Sequence, residues 1–172
     1  MTPGGGRPYV RRMQPTAPSP AHPSLRPAPA PARLTVRPWW DPELAASGFD
    51  PRSEYAERFW LGVVGPSTLL LLRRFARGFD EFPAGFHVDV AETAGALGLG
   101  HGTGRNAPLQ RTVDRACNFG LARRRPSDRD ATALPVVEVR LHLPGLAAHQ
   151  LARLPESVRR SHDGWNDVHH RP

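Results

Sequence analysis

The chain has 172 residues, room for about one domain, and a formal net charge of +7 in which every basic residue is an arginine. The absence of lysine excludes a P-loop lysine, a Schiff base and any other lysine-dependent catalysis. The single cysteine, Cys117, excludes an intrachain disulfide and cysteine-rich zinc modules, as expected of a reducing cytoplasm. The most apolar stretch, residues 59–72, is too short to span a bilayer, so we expect a cytoplasmic protein with no membrane contact.

Residues 1–40 contain ten of the 20 prolines, six arginines and no acidic residue. Because proline fixes φ and lacks an N–H donor, this composition favours polyproline II over a packed element. We predict a disordered Pro/Arg-rich arm over 1–40, one domain over 41–160 and a frayed tail over 161–172. The arm could add electrostatic affinity for nucleic acid, or serve as a spacer or as a ligand for a proline-reading domain.

The first predicted helices lie on either side of Gly65-Pro66. The first begins at Asp50-Pro51, because Asp caps helices and Pro suits the first helical position. The second helix is expected to end near Gly78. Its apolar residues recur at helical spacing and are Leu69, Leu72, Phe75, Ala76 and Phe79, widened by Leu70 and Leu71.

Shorter elements follow. Residues 86–88 predict a short strand, and Asp89 with Glu92 has the spacing of a capping box for a helix over 90–97. Asn106 is a good N-cap for a helix over 106–119. Alternating apolar residues over 137–143 predict a strand that forms a hairpin with 121–125. The expected class is α+β, mainly helical with a small β-hairpin.

This order of elements resembles that of winged helix-turn-helix DNA-binding proteins. The segment that carries the resemblance is VDVAETAGALGLGHGTGRNAPLQRTVDRACNFGLARRR, residues 88–125, which looks similar to uncharacterised actinobacterial proteins of this type. The resemblance implies that helix 106–119 enters the major groove, that hairpin 121–142 contacts the DNA backbone and that strand 86–88 pairs with the hairpin. The turn between the two helices, about seven residues, is longer than the three or four of tight helix-turn-helix units. A transcriptional regulator, located at the nucleoid, is the simplest function.

The predicted DNA-binding residues combine amides and guanidiniums. Asn and Gln can pair with adenine and Arg with guanine, whereas arginines on the hairpin would contact phosphates. Asp114 opposes phosphate unless it pairs with Arg111 or reads cytosine. The predicted contacts are Gln110, Arg111, Arg115, Asn118, Arg123, Arg124, Arg125 and Arg129.

Several alternatives stay open. An ordinary solvated helix face competes with DNA reading, and a non-enzymatic protein-interaction module is the alternative function, favoured by the Pro-rich arm and by Trp39-Trp40. We expect this tryptophan pair to pack back on the domain, with a partner anchor as the alternative. A homodimer through residues 147–160 is a further option.

The sequence shows no arrangement of catalytic residues, so no enzymatic activity, cofactor or metal is predicted. The glycine-rich segment 98–104 follows a helix rather than a strand, which argues against nucleotide binding. Cys117 is expected to be buried and inert. Metal binding is expected to be adventitious at a cluster near the end of the chain, formed by His162, Asp163, Asp167, His169 and His170.

Overall fold

Helices pack against one face of a four-stranded mixed sheet in the computed structural model, which describes residues 33–100, 107–125 and 134–169. This confirms the α+β class. The strands are β1 (Arg33–Trp39), β2 (Phe86–Asp89), β3 (Ala122–Arg125) and β4 (Val136–Arg140). The helices are α1 (Pro42–Ser47), α2 (Leu61–Val64), which continues a π-helical turn (Ala56–Trp60), α3 (Pro66–Glu81), α4 (Val90–Ala96), α5 (Pro108–Asn118), α6 (Ala148–Leu151) and α7 (Glu156–His169).

Strand β1 corrects the predicted boundary of the arm. Residues 33–39, assigned to the arm by composition, form an interior strand of a sheet whose order is β2-β1-β4-β3. Leu34 and Val36 are buried on the helical side, while Arg33 and Arg37 alternate with them on the exposed side. The arm prediction failed here because two apolar residues among arginines and prolines are a weak signal. The remaining residues of the predicted arm, 1–32, lie outside the described residues.

The pairing of β2 is also different from the prediction. The strand at residues 86–88 was expected to pair with the hairpin, but β2 pairs antiparallel with β1. Strand β1 in turn pairs parallel with β4, and β3 and β4 form the expected antiparallel hairpin. The hairpin is therefore one half of a larger sheet, separated from β2 by a strand that sequence composition concealed.

The segment between β1 and α3 contains a helix that was not predicted. Helix α1 begins after Asp41, whose Oδ1 accepts hydrogen bonds from the amides of Glu43 at 3.1 Å and Leu44 at 3.3 Å. The predicted helix start at Asp50-Pro51 is wrong, because Asp50 closes a turn by accepting from the Arg52 amide at 2.6 Å. Helical structure begins three residues after Pro51.

Helix α3 supplies the central part of the core. Its predicted apolar stripe is confirmed and Leu71 is also buried, whereas Leu70 is 48% exposed. Gly78 does not end the helix, which continues to Glu81. The glycine instead makes room for Phe86 of β2, since a Cβ at this position would collide with Cζ of that ring.

The elements around α5 follow the prediction closely. Asp89 Oδ1 accepts from the Glu92 amide at 2.9 Å, which confirms the N-cap of α4. Helix α5 begins at Pro108, with Ala107 at the cap position. The proposed cap residue Asn106, the hairpin tip at 126–133 and Arg129 all lie outside the described residues.

The C-terminal region corrects another prediction, because residues expected to fray belong to α7. His162 is 4% exposed, and its Nε2 lies 2.9 Å from the hydroxyl of Tyr55, which itself accepts from the Leu146 amide at 2.9 Å. The ring of Trp165 lies 5.9 Å from that of Phe59. These aromatic contacts hold α7 against the π-helical turn. The polar composition of α7 gave no indication of this packing. In the part of the chain described, no helix is both long and apolar enough to cross a membrane.

Candidate nucleic-acid interface

Helix α5 separates a buried face from an exposed one. Leu109, Val113 and Ala116 are buried. Arg111, Arg115 and Asn118, spaced four and three residues apart, share the exposed face because such residues are neighbours on a helix. Three of the predicted DNA-binding side chains are thus brought together.

A concave surface lies between this face and the start of α3. We call it the α3–α5 groove; its volume is about 680 Å³, and its lining includes Gly65, Ser67, Arg111 and Arg115. Gly65, with φ of 81°, occupies the N-cap position of α3 and provides no side-chain cap. The first amides of α3 therefore add partial positive charge at the edge of the groove. In the sequence, the Gly65-Pro66 break indicates where this helix start lies but not that it borders a groove.

Gln110 does not lie on the exposed face, so that part of the prediction is wrong. It is 5% exposed, and its Oε1 accepts a hydrogen bond from Arg124 Nη2 at 2.9 Å. Its Nε2 is buried and has no hydrogen-bond partner among the described residues. Strand β3 packs on α5 beside this residue, and a helical spacing rule alone could not place the strand there.

Asp114 is the one carboxylate in the lining of the α3–α5 groove that the structure describes. Its Oδ1 accepts from Arg124 Nε at 3.0 Å and from Nη2 at 2.8 Å. The sequence had offered Arg111 as its partner, but the structure uses an arginine of β3. Arg124 thereby offsets the charge that would repel a phosphate at α5.

The other hairpin arginines are paired on the opposite face of the sheet. Arg123 and Arg125 share one face, as their alternation predicted, and both bind Glu138 through Nε, at 2.5 Å and 2.9 Å. Burial raises the pKa of Glu138, but the hydrogen bonds from the two arginines outweigh burial and hold the pKa below its usual value. The Nη groups of both arginines keep further N–H donors.

The two tryptophans at positions 39 and 40 have different surroundings. The guanidiniums of Arg123 and Arg140 lie over the indole of Trp39, with Cζ 4.2 Å and 3.8 Å from the ring centroid, so this residue packs back on the domain as predicted. Arg140 also forms an ion pair with Asp41. Trp40 is 64% exposed, contrary to the prediction for the pair.

Two other sequence features have different surroundings from those expected. Cys117 is half-buried rather than fully buried, and burial raises the pKa of its thiol. Among the described residues, no three His, Cys, Asp or Glu side chains are grouped closely enough to hold a metal ion. His162, one of the residues considered for adventitious metal binding, is buried, while the side chains of Asp167, His169 and His170 lie outside the described residues.

No family model matches the chain, and no curated protein sequence matches it. Among solved structures, the chain is similar to primosome protein DnaB (residues 1–300) from Geobacillus stearothermophilus, with 16% sequence identity and a TM-score of 0.49. The match covers 81% of this chain and 51% of that one. The chain thus spans about half the length of that structure.

Proposed function

We propose that the chain binds double-stranded DNA on a winged-helix scaffold, with α5 as the helix that enters the major groove. The order α3, β2, α4, α5 and then the β3–β4 hairpin supports the proposal, because it is the order of elements in winged-helix proteins. The insertion of β1 between β2 and the hairpin enlarges the sheet on the side away from β3. Regulation of transcription at the nucleoid is the simplest role for such a protein.

One observation carries the proposal. The exposed face of α5 presents Arg111, Arg115 and Asn118 next to a groove whose described carboxylate, Asp114, is already neutralised by Arg124. Arg111 itself forms no ion pair with any described residue. Guanidinium and amide groups on one helix face can read guanine and adenine edges. The hairpin would contribute phosphate contacts through the Nη groups of Arg123 and Arg125, which form no ion pair with a described residue.

The test is a titration of a mixed-sequence DNA duplex at low and high salt, followed by fluorescence anisotropy. We expect binding that weakens steeply with salt, because neutralised phosphates release counterions. Arg111→Ala should raise Kd, while Arg77→Ala, which removes an exposed arginine about 16 Å along α3 from Pro66, serves as the control. Absence of binding by the unaltered chain at low salt would refute the proposal.

A protein-interaction module is the second candidate. Two large apolar side chains favour it, since Trp40 and Phe82 are 64% and 55% exposed. The pairing of Arg123 and Arg125 with Glu138 also lowers the free positive charge of the hairpin. A partner retained after nuclease treatment in a pull-down, and lost with Trp40→Ser, would favour this function. A partner released by nuclease would favour DNA.

A further inference from the structure

A second concave surface lies on the other side of the exposed face of α5, against the short helix α6. We call it the α5–α6 pocket; its volume is about 590 Å³. Its polar lining includes Arg115, Asn118, His149 and Arg153, and Val63 and Phe119 are its large apolar side chains. None of these residues outside α5 was singled out for DNA contact by the sequence.

The pocket suits a negatively charged occupant. Its described lining contains two arginines and one histidine and no carboxylate. Arg153 is exposed and forms no ion pair with another residue of the described ranges. Its charge is therefore available to a ligand.

Arg115 is held ready for such a ligand. Its Nη2 donates to the Val63 carbonyl at 3.0 Å, and its Cζ lies 5.5 Å from the centroid of the Phe119 ring. These contacts orient the guanidinium, and its other N–H groups donate to no described residue. A cation that is already ordered loses less side-chain entropy when it binds.

The pocket and the α3–α5 groove meet at α5, because Arg115 and Asn118 line both. From Arg111 to Asn118 the helix rises about 10 Å. A small anion would occupy only one of these two surfaces. A ligand that uses both must be elongated and must carry negative charge at intervals, which describes the phosphate backbone of a nucleic-acid strand.

We propose that the α5–α6 pocket receives backbone phosphates of the DNA bound at α5, with Arg153 as a direct phosphate contact. This inference rests on the proposed function and extends its footprint to the segment after the hairpin. Arg153 would add affinity without sequence preference, because phosphate contacts position a protein and do not read bases.

The experiment measures Kd for one mixed-sequence duplex at several NaCl concentrations, for the unaltered chain and for Arg153→Ala, Arg153→Gln and Arg153→Lys. The logarithm of the association constant falls with the logarithm of the salt concentration. Loss of one phosphate contact should make this slope less negative by about 0.9 for the alanine and glutamine variants. The lysine variant should keep the slope, since it keeps the charge. Arg77→Ala removes the same charge elsewhere and should leave the slope unchanged. Thermal unfolding followed by circular dichroism checks that each variant is folded.

The outcomes separate the two proposals. Binding by the unaltered chain, with a reduced slope for Arg153→Ala and Arg153→Gln only, supports the pocket as a phosphate site. Binding with the same slope in every variant, or an equal loss in Arg77→Ala, overturns this inference and leaves DNA binding standing. Absence of binding by the unaltered chain overturns both. Equal loss of affinity across duplexes of different sequence is also expected of Arg153→Ala, and a loss confined to one sequence would contradict a phosphate contact.

Discussion

Replacing the buried glutamine of α5 by leucine should stabilise the fold. Gln110 is 5% exposed, and its Nε2 has no hydrogen-bond partner among the described residues, so the folded state carries the cost of an unpaired buried donor, about 1–3 kcal/mol. The substitution also loses the bond from Arg124, which is worth about 0.5–1 kcal/mol because that arginine is partly exposed and keeps Asp114 as a partner. We therefore expect Gln110→Leu to raise the free energy of unfolding by about 1 kcal/mol.

Urea unfolding followed by far-ultraviolet circular dichroism measures this change, as a higher midpoint at an unchanged m value. Gln150→Leu is the matched control, because the Oε1 of Gln150 accepts from the Ala147 amide at 2.9 Å and that bond would be lost. The control should be less stable than the unaltered chain. A decrease of more than about 1 kcal/mol for Gln110→Leu would refute the reasoning, since it would mean that the amide is satisfied.

The Gln110→Leu variant also tests whether Gln110 packs inside the fold or contacts a DNA base. A glutamine that pairs with adenine contributes about 1–3 kcal/mol of discrimination, so its loss would weaken binding to a preferred sequence at least about fivefold. Because Gln110 is buried against β3, we expect the DNA affinity of Gln110→Leu to equal that of the unaltered chain within about twofold.

Two further predictions concern the core. Burial lowers the pKa of His162, partly offset by the charge of Asp163, so the fold favours the neutral imidazole. Stability that depends on the neutral form is present above the ordinary pKa of about 6.5 and is lost as pH falls from there through the lowered pKa. Unfolding midpoints between pH 7.5 and 5 should therefore fall more for the unaltered chain than for His162→Gln, and equal pH dependence would contradict this role. Gly78→Ala should destabilise the fold by about 1–3 kcal/mol, because the new Cβ would meet Phe86, whereas Gly164→Ala in α7, with nothing within 4 Å, should be neutral or stabilising. A stabilising Gly78→Ala in thermal unfolding would show that the Phe86 ring can move aside.

Elements whose signal is local were predictable from the sequence. The apolar stripe of α3 repeats at helical spacing from Leu69 to Phe79, and Asp89 caps α4 through an amide three residues away. Strand β1 had no comparable signal. Its two buried residues, Leu34 and Val36, belong to the hydrophobic core, and the strand pairs with β4 from about 100 residues further along the chain. Parallel strands are not joined by a tight turn, so the sequence contains no turn signal that would predict this pairing.

The candidate site shows the same limit in its electrostatics. The sequence placed Arg111, Arg115 and Asn118 correctly on one face of α5, because helical spacing is a local property. It could not show that Arg124 of β3 reaches both Asp114 and Gln110, since that contact depends on how the hairpin packs on the helix. These ion pairs mean that the arginines of the basic run 123–125 have different roles. Arg124 acts by neutralising a carboxylate near α5, while Arg123 and Arg125 share Glu138 on the opposite side of the sheet. Around the two concave surfaces at α5, Arg111, Arg115 and Arg153 form no ion pair with a described residue, so these arginines should contribute more than the hairpin arginines to the salt dependence of the proposed DNA binding.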